Sequence, residues 1–255
     1  MNRPVVVTGA SRGIGRALAL AFARRRHDLV LCARTAEDLE VVAAEARAAS
    51  VQARAVRCDL ATLEGRDQLV RSVDGPVAGL VNNAGFGTFG EFVRQDAARE
   101  REMIRLNVEA VVDLAHAFLP RMSRGSFLIN VSSTAGFQPV PLFATYSATK
   151  AFVLSWSEAI ADELAPAGIH VMALCPGVTE TGFQRVAEVQ TTGPTASATE
   201  VAAFALRALD KRRPVAIHGR GNALLIQSQR LAPRRAIVKI ARRFVESWSR
   251  PGHAP

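Results

Sequence analysis

At 255 residues the chain is long enough to bury a full core as one α/β domain. Hydrophobic residues make up 49% and charged residues 22%, a globular composition that excludes a disordered chain. The net charge of +9 is concentrated: residues 230–250 carry seven basic side chains against the single acid Glu246, and the nearly balanced remainder excludes a nucleic-acid-binding body.

The chain opens MNRPVVVTGA. No long apolar run precedes its first strand, so a cleaved signal peptide is not expected, nor does any run reach the roughly 18 apolar residues of a spanning helix. Short apolar, β-branched runs follow at 5–7, 29–32, 51–57, 77–81, 127–131, 170–174 and 215–217. Helix-length segments such as 15–25, 36–49 and 99–118 lie between them. Continuous apolar strands separated by helices predict a Rossmann-like, doubly wound α/β fold, with a mostly parallel seven-stranded sheet and helices on both faces. Ligands bind such sheets outside the carboxyl ends of the strands. Residues 1–232 are expected to form this domain, with a lid over about 178–198, and 233–255 a basic helix and tail. Cys32, Cys58 and Cys175 sit in or beside apolar runs and match no metal motif; they are expected as reduced, buried thiols, and no metal site is expected. These features point to the cytoplasm.

Directly after the first strand, residues 8–15 read TGASRGIG. Gly9, Gly13 and Gly15 let the backbone turn tightly and let a pyrophosphate approach a helix N-terminus, where unpaired N–H groups favour an anion. The spacing is Gly-x3-Gly-x-Gly rather than the common Gly-x-Gly-x-x-Gly. The second strand ends Leu31-Cys32-Ala33-Arg34, without the acid that usually binds a ribose 2′-hydroxyl. Arg34 and Arg12 together suit a 2′-phosphate, so NADP(H) is expected over NAD(H); two solvated arginines are the alternative. Further on, Tyr146 is the only tyrosine and Lys150, one of three lysines, follows at i+4. On one helical face such a cation is expected to lower the phenol pKa and make it a general acid or base near neutrality. An amphipathic helix with a surface lysine gives the same spacing.

With these residues in order, the chain resembles the short-chain dehydrogenase/reductase family, of the single-domain type, from residue 5 to about 220. TGASRGIG resembles its cofactor turn, which implies Gly9, Ser11, Arg12, Gly13, Ile14 and Gly15 as cofactor contacts. CDL (58–60) resembles the adenine-contacting segment, with Asp59 and Leu60. NNAG (82–85) supplies Asn83, Ala84 and Gly85. Asn107 in RLNVEA matches the family's helix asparagine. NVSSTAG (130–136) carries the catalytic serine, taken as Ser133 because it precedes Tyr146 by 13 residues; the side chain of Ser132 should face the other side. YSATK (146–150) is the Tyr–Lys pair, and PGVTET (176–181) matches the nicotinamide loop, with Pro176, Gly177, Thr179 and Thr181.

The resemblance implies hydride transfer between a nicotinamide and a carbonyl or alcohol carbon. Tyr146 would be the general acid, Ser133 would stabilise the oxyanion, and Lys150 would tune Tyr146 and bind the ribose. Asn107 would hold a water linking Lys150 to solvent. A small-molecule substrate and a homodimer or homotetramer are implied as well. The lid at 183–198, with Phe86, Phe89, Phe92, Phe137, Val140 and Phe143, suggests an apolar pocket, although ordinary packing explains the same residues. Near the C-terminus Ile237, Ile240, Ala241, Phe244, Val245 and Trp248 form one helical stripe bordered by basic residues. Such a helix can pack on the body, pack on another subunit, or touch an anionic membrane through residues 234–250. A silent cofactor-binding sensor and a peripheral membrane protein are the alternative functions.

Overall fold

The computed structural model describes residues 3–191, 195–229 and 231–248. Residues 192–194 of the expected lid, the basic residues Arg230 and Arg250, and the rest of the expected tail lie outside the described residues. Strands β1 (Val5–Thr8), β2 (Leu29–Ala33), β3 (Ala53–Arg57), β4 (Gly79–Asn82), β5 (Phe127–Val131), β6 (His170–Cys175) and β9 (Val215–Ile217) form one sheet of order β3-β2-β1-β4-β5-β6-β9. All of its pairings are parallel. A second, two-stranded parallel ribbon pairs β7 (Thr179–Glu180) with β8 (Ala196–Ser197).

Successive strand residues face opposite sides of a sheet, and the core divides accordingly. Val5, Val7, Leu29 and Leu31 pack with Leu18 and Phe22 of α1 (Gly13–Arg24), with α2 (Ala36–Arg47), and with Val201 and Leu206 of α8 (Ala198–Asp210). Val6, Val30, Leu80 and Leu128 face the other way. They meet Leu69 of α3 (Leu63–Arg71), Met103 of α4 (Ala97–Ile104), Leu114 and Phe118 of α5 (Ala110–Phe118), and the long α6 (Ala144–Leu164). Strands buried on both faces need the near-continuous apolar runs seen in the sequence. Edge strand β3 instead exposes Arg54 and Arg57, charges that discourage further strand pairing.

The expected single helix over 99–118 is interrupted: a π-helical turn at Arg105–Glu109 separates α4 from α5. Beyond the PG segment come the short α7 (Phe183–Val186), α9 (Arg220–Gln229) and α10 (Arg234–Glu246). Strand order reverses between β1 and β4, and this opens a crevice at the carboxyl edge.

Candidate active site

A cavity of about 640 Å³ lies along that edge, within the range of small-molecule sites. Every residue predicted for the site lines it except Gly15 and Asn107, which stand one layer behind. The nucleotide half is built on the glycine turn. Gly9 and Gly13 have φ of +63° and +56°, conformations that favour glycine. A Cβ on Gly15 would fall 2.3 Å from the Gly9 carbonyl, and one on Gly9 would fall 2.9 Å from the Ala84 Cα. The N-terminus of α1 has no side-chain cap and no acid in its first turn, leaving its N–H groups to an anion. Compressed backbone and uncapped helix end fit a dinucleotide pyrophosphate.

Asn83 supports this turn from beneath: its Nδ2 donates to the Thr8 and Gly9 carbonyls at 2.9 and 3.1 Å. Thr8 closes the strut, its hydroxyl donating to the Val81 carbonyl and accepting from the Asn83 and Ala84 N–H groups. Only its place directly before the first glycine marks Thr8 in the sequence. At the far end of this half, Arg12 pairs with Asp38 at 2.8 Å and Arg34 with Glu102 at 3.4 Å. Both guanidiniums are about half exposed, at 51% and 54%. Such surface pairs are weak, so the arginines can turn to a phosphate at little cost. Asp59 accepts from the Ala61 N–H at 3.0 Å.

In the other half Ser133, Tyr146 and Lys150 converge. Ser133 follows β5 and caps a 3-10 turn, accepting from the Ala135 N–H at 3.1 Å. Ser132 is turned away and donates to the Lys150 carbonyl, tying β5 to α6. Lys150 Nζ donates to the Val131 carbonyl at 2.8 Å and lies 5.8 Å from the centre of the Tyr146 ring.

The expectation that Lys150 lowers the Tyr146 pKa is not met in the chain by itself. Burial pushes Tyr146 up to about 12, against which a hydrogen bond with Ser133 acts. Burial also pushes Lys150 down to about 8. Desolvation outweighs a cation that is itself reluctant to stay charged and points at a carbonyl. Tyr146 is therefore protonated at neutral pH, the state of an acid rather than a base.

Asn107 sits in the π-helical turn, a feature frequent at functional sites. Its amide donates to the Phe86 carbonyl and the Thr149 hydroxyl and accepts from the Phe86 N–H. It clips the NNAG segment to α6, leaving one lone pair on Oδ1 of the amide's full capacity. Gly85 gives that oxygen room, since a Cβ there would stand 2.8 Å from Asn107 Oδ1 and 3.5 Å from Lys150 Nζ. Thr181 touches the glycine turn, where a Cβ on Gly13 would meet it at 2.9 Å. Thr179 is occupied within its own loop, donating to the Gly177 carbonyl.

The apolar wall differs in part from expectation. Phe86, Val140 and Phe143 line the cavity, as do Phe183, Gln184, Val186 and Thr191 of the expected lid. Phe89 packs behind Phe143, ring centres 5.0 Å apart. Phe137 belongs to a cluster with Leu154, Ala173 and Cys175, and Phe92 is 64% exposed, so neither forms the wall. Their places are taken by the C-terminal segment: Ile226 of α9, then Ile237, Ala241 and Val245 along α10 and Trp248 just beyond it. Trp248 meets Phe143 edge-on at 5.8 Å, and Phe143 in turn packs on Tyr146. Ala241, Val245 and Trp248 of the stripe read from the sequence pack on the body, while Ile240 and Phe244 stay exposed. Among the described residues no helix is long and apolar enough to cross a membrane.

The family model described as short chain dehydrogenase matches residues 3–191, and the chain belongs to that family of oxidoreductases. It is 33% identical over 188 residues to the ketoacyl reductase HetN of Nostoc sp., a match spanning 71% of this chain and 66% of the relative. A short-chain dehydrogenase from Sphingobium yanoikuyae in complex with NADPH shares 36% identity at a TM-score of 0.81, covering 90% of this chain and 94% of that one. The bulky-bulky ketone specific alcohol dehydrogenase from Comamonas testosteroni shares 30% identity at a TM-score of 0.79, covering 100% and 98%.

Proposed function

We propose that the protein is an NADP(H)-dependent oxidoreductase that interconverts the carbonyl of a bulky hydrophobic molecule and the corresponding alcohol. The observation that carries the reading is the convergence of Ser133, Tyr146 and Lys150 at one cavity whose opposite wall is apolar, from Phe143 and Phe183 to Val245 and Trp248. The cofactor, when bound, supplies or accepts the hydride at the substrate carbon. The remaining work falls to the chain. Tyr146, protonated at neutral pH, gives its proton to the substrate oxygen as negative charge develops there. Ser133 hydrogen-bonds the same oxygen and stabilises that charge. Lys150 holds a positive charge nearby, and Asn107 is a positioning residue that fixes the Phe86 backbone and Thr149 around it. The aromatic wall excludes water, which strengthens these interactions. Arg12 and Arg34 favour NADP(H), supported by the missing acid after β2 and by the NADPH complex of the Sphingobium relative.

NADPH consumption by the purified protein over a panel of small, bulky aliphatic and polycyclic ketones tests the proposal, with NADH in parallel. The reading expects turnover with NADPH that rises with the apolar bulk of the ketone. Equal turnover with NADH would remove the cofactor assignment, and preference for small polar ketones would remove the substrate class.

A second reading concerns location. Ile240 and Phe244 on α10 line the cavity yet are 60% and 57% exposed, Leu225 of α9 lines it and is exposed as well, and basic residues neighbour Ile240 and Phe244 in sequence. An apolar rim with a cationic border suits an anionic lipid surface from which a hydrophobic substrate could enter. Flotation with anionic vesicles, lost in Phe244→Glu, is the expected result; absence of flotation contradicts it.

A further inference from the structure

Two thiols meet beneath the nucleotide half of the cavity. Cys32 belongs to β2, and Cys58 follows β3; their sulfurs lie 2.7 Å apart. Both are free and buried, yet both line the cavity. A disulfide bond is about 2.05 Å long, so the sulfurs need approach by only about 0.7 Å to be joined. Each thiol sits beside a residue assigned to the cofactor: Asp59 follows Cys58 directly, and Arg34 lies two residues after Cys32. Joining the sulfurs would draw together the ends of β2 and β3 that present those two side chains. The third cysteine, Cys175, ends β6 away from the pair. Core packing explains why small apolar residues stand at 32 and 58, but it does not explain two sulfurs in contact on a ligand-facing wall.

We propose that Cys32 and Cys58 are an oxidisable dithiol whose closure to a disulfide weakens cofactor binding. The oxidant is a peroxide or a small-molecule disulfide; diamide serves as the laboratory oxidant, its N=N bond taking up the two protons and two electrons to become a hydrazine. With a peroxide, two protons and two electrons leave the thiols, the S–S bond forms as the O–O bond breaks, and hydrogen peroxide yields two waters whereas an alkyl peroxide yields one water and one alcohol. With a disulfide, its S–S bond breaks and two small thiols are released. The cleft is the route by which an oxidant reaches the pair, so a dinucleotide lying in it shields the thiols. The hydrogen bond with the Cys58 sulfur, and then burial, hold Cys32 well above the ordinary thiol range, so closure is slow at neutral pH and quickens as pH rises. The gating half of the proposal rests on the nucleotide reading above, whereas the thiol chemistry does not depend on turnover.

The test treats the full chain with diamide at pH 8, with and without NADP, then traps remaining thiols under denaturing conditions and maps peptides. The expected result is a Cys32–Cys58 disulfide that forms more slowly with NADP present. NADPH affinity, read by fluorescence, should fall at least tenfold and return on reduction. Cys32→Ser should show no diamide-induced change in affinity. Recovery of both cysteines as trapped thiols overturns the dithiol. A mapped disulfide with unchanged NADPH affinity overturns the gating, as does a Cys32→Ser protein that loses affinity on oxidation as the wild type does. Reduced protein that binds no NADPH would instead sink the nucleotide reading and the gating with it, while peptide mapping still decides the dithiol.

Discussion

Replacing Lys150 with methionine should change how stability depends on pH, in a direction fixed by the site. Methionine keeps a flexible apolar stem but carries no proton. Burial lowers the Lys150 pKa from 10.5 to about 8. Between those values the unfolded chain binds a proton that the folded chain does not, so the stability of the wild type rises with pH across that window. At about 1.36 kcal/mol for each pH unit in which the two states differ by one proton, integration from pH 7 to 9.5 gives a gain of about 2 kcal/mol from this group. Lys150→Met lacks that gain. The other titrating groups are common to both proteins and cancel in the comparison. Tyr146, pushed up to about 12, loses its proton later in the folded chain than in the unfolded one, and that opposite trend begins only near pH 10. Urea unfolding of both proteins without cofactor at pH 7 and 9.5 supplies the measurement. The stability difference should shift by about 2 kcal/mol in favour of the wild type at the higher pH. A shift below about 0.5 kcal/mol would refute the reasoning, because the folded site would then be keeping its ammonium charged.

Three other perturbations have defined outcomes. Arg66 is buried, binds the carbonyls of Leu60, Ala61 and Arg105, and pairs with Asp113; because Asp113 is half exposed and regains water, Arg66→Met should lower stability by about 2–3 kcal/mol in urea unfolding. Gly15→Ala drives a Cβ to 2.3 Å from the Gly9 carbonyl, so titration calorimetry should find NADPH binding lost. Removing residues 234–255 strips Ala241, Val245 and Trp248 from the wall; steady-state kinetics should show KM for a bulky ketone raised at least tenfold, with NADPH affinity unchanged.

The sheet was legible because parallel strands buried on both faces must be continuously apolar, and 5–7, 29–32 and 127–131 are. The glycine turn and the Tyr146–Lys150 pair were legible because each needs particular residue types at fixed spacing. The π-helical turn at Arg105–Glu109 was not, because an inserted residue leaves the apolar periodicity on either side intact. Arg66 looks like any arginine on a polar helix until the loop of Leu60 folds over it. Phe92 and Phe137 were placed in the pocket wall for being aromatic and near the motifs, yet neither hydrophobicity nor proximity in sequence fixes which face of a turn a ring takes. The stripe of α10 announced an amphipathic helix; its partner was set by the shape of the cavity that Phe143 and Phe183 leave open.

The central claim is that Tyr146 delivers the proton while the cavity aligns carbonyl and cofactor. Single-turnover transfer from deuterated NADPH to a bulky ketone, followed by mass spectrometry of the alcohol, tests it most directly in wild type and Tyr146→Phe. Label should appear on the carbinol carbon with the wild type, and the variant should slow transfer at least a thousandfold while binding NADPH within a few-fold. Transfer by Tyr146→Phe at a rate near that of the wild type would contradict the claim.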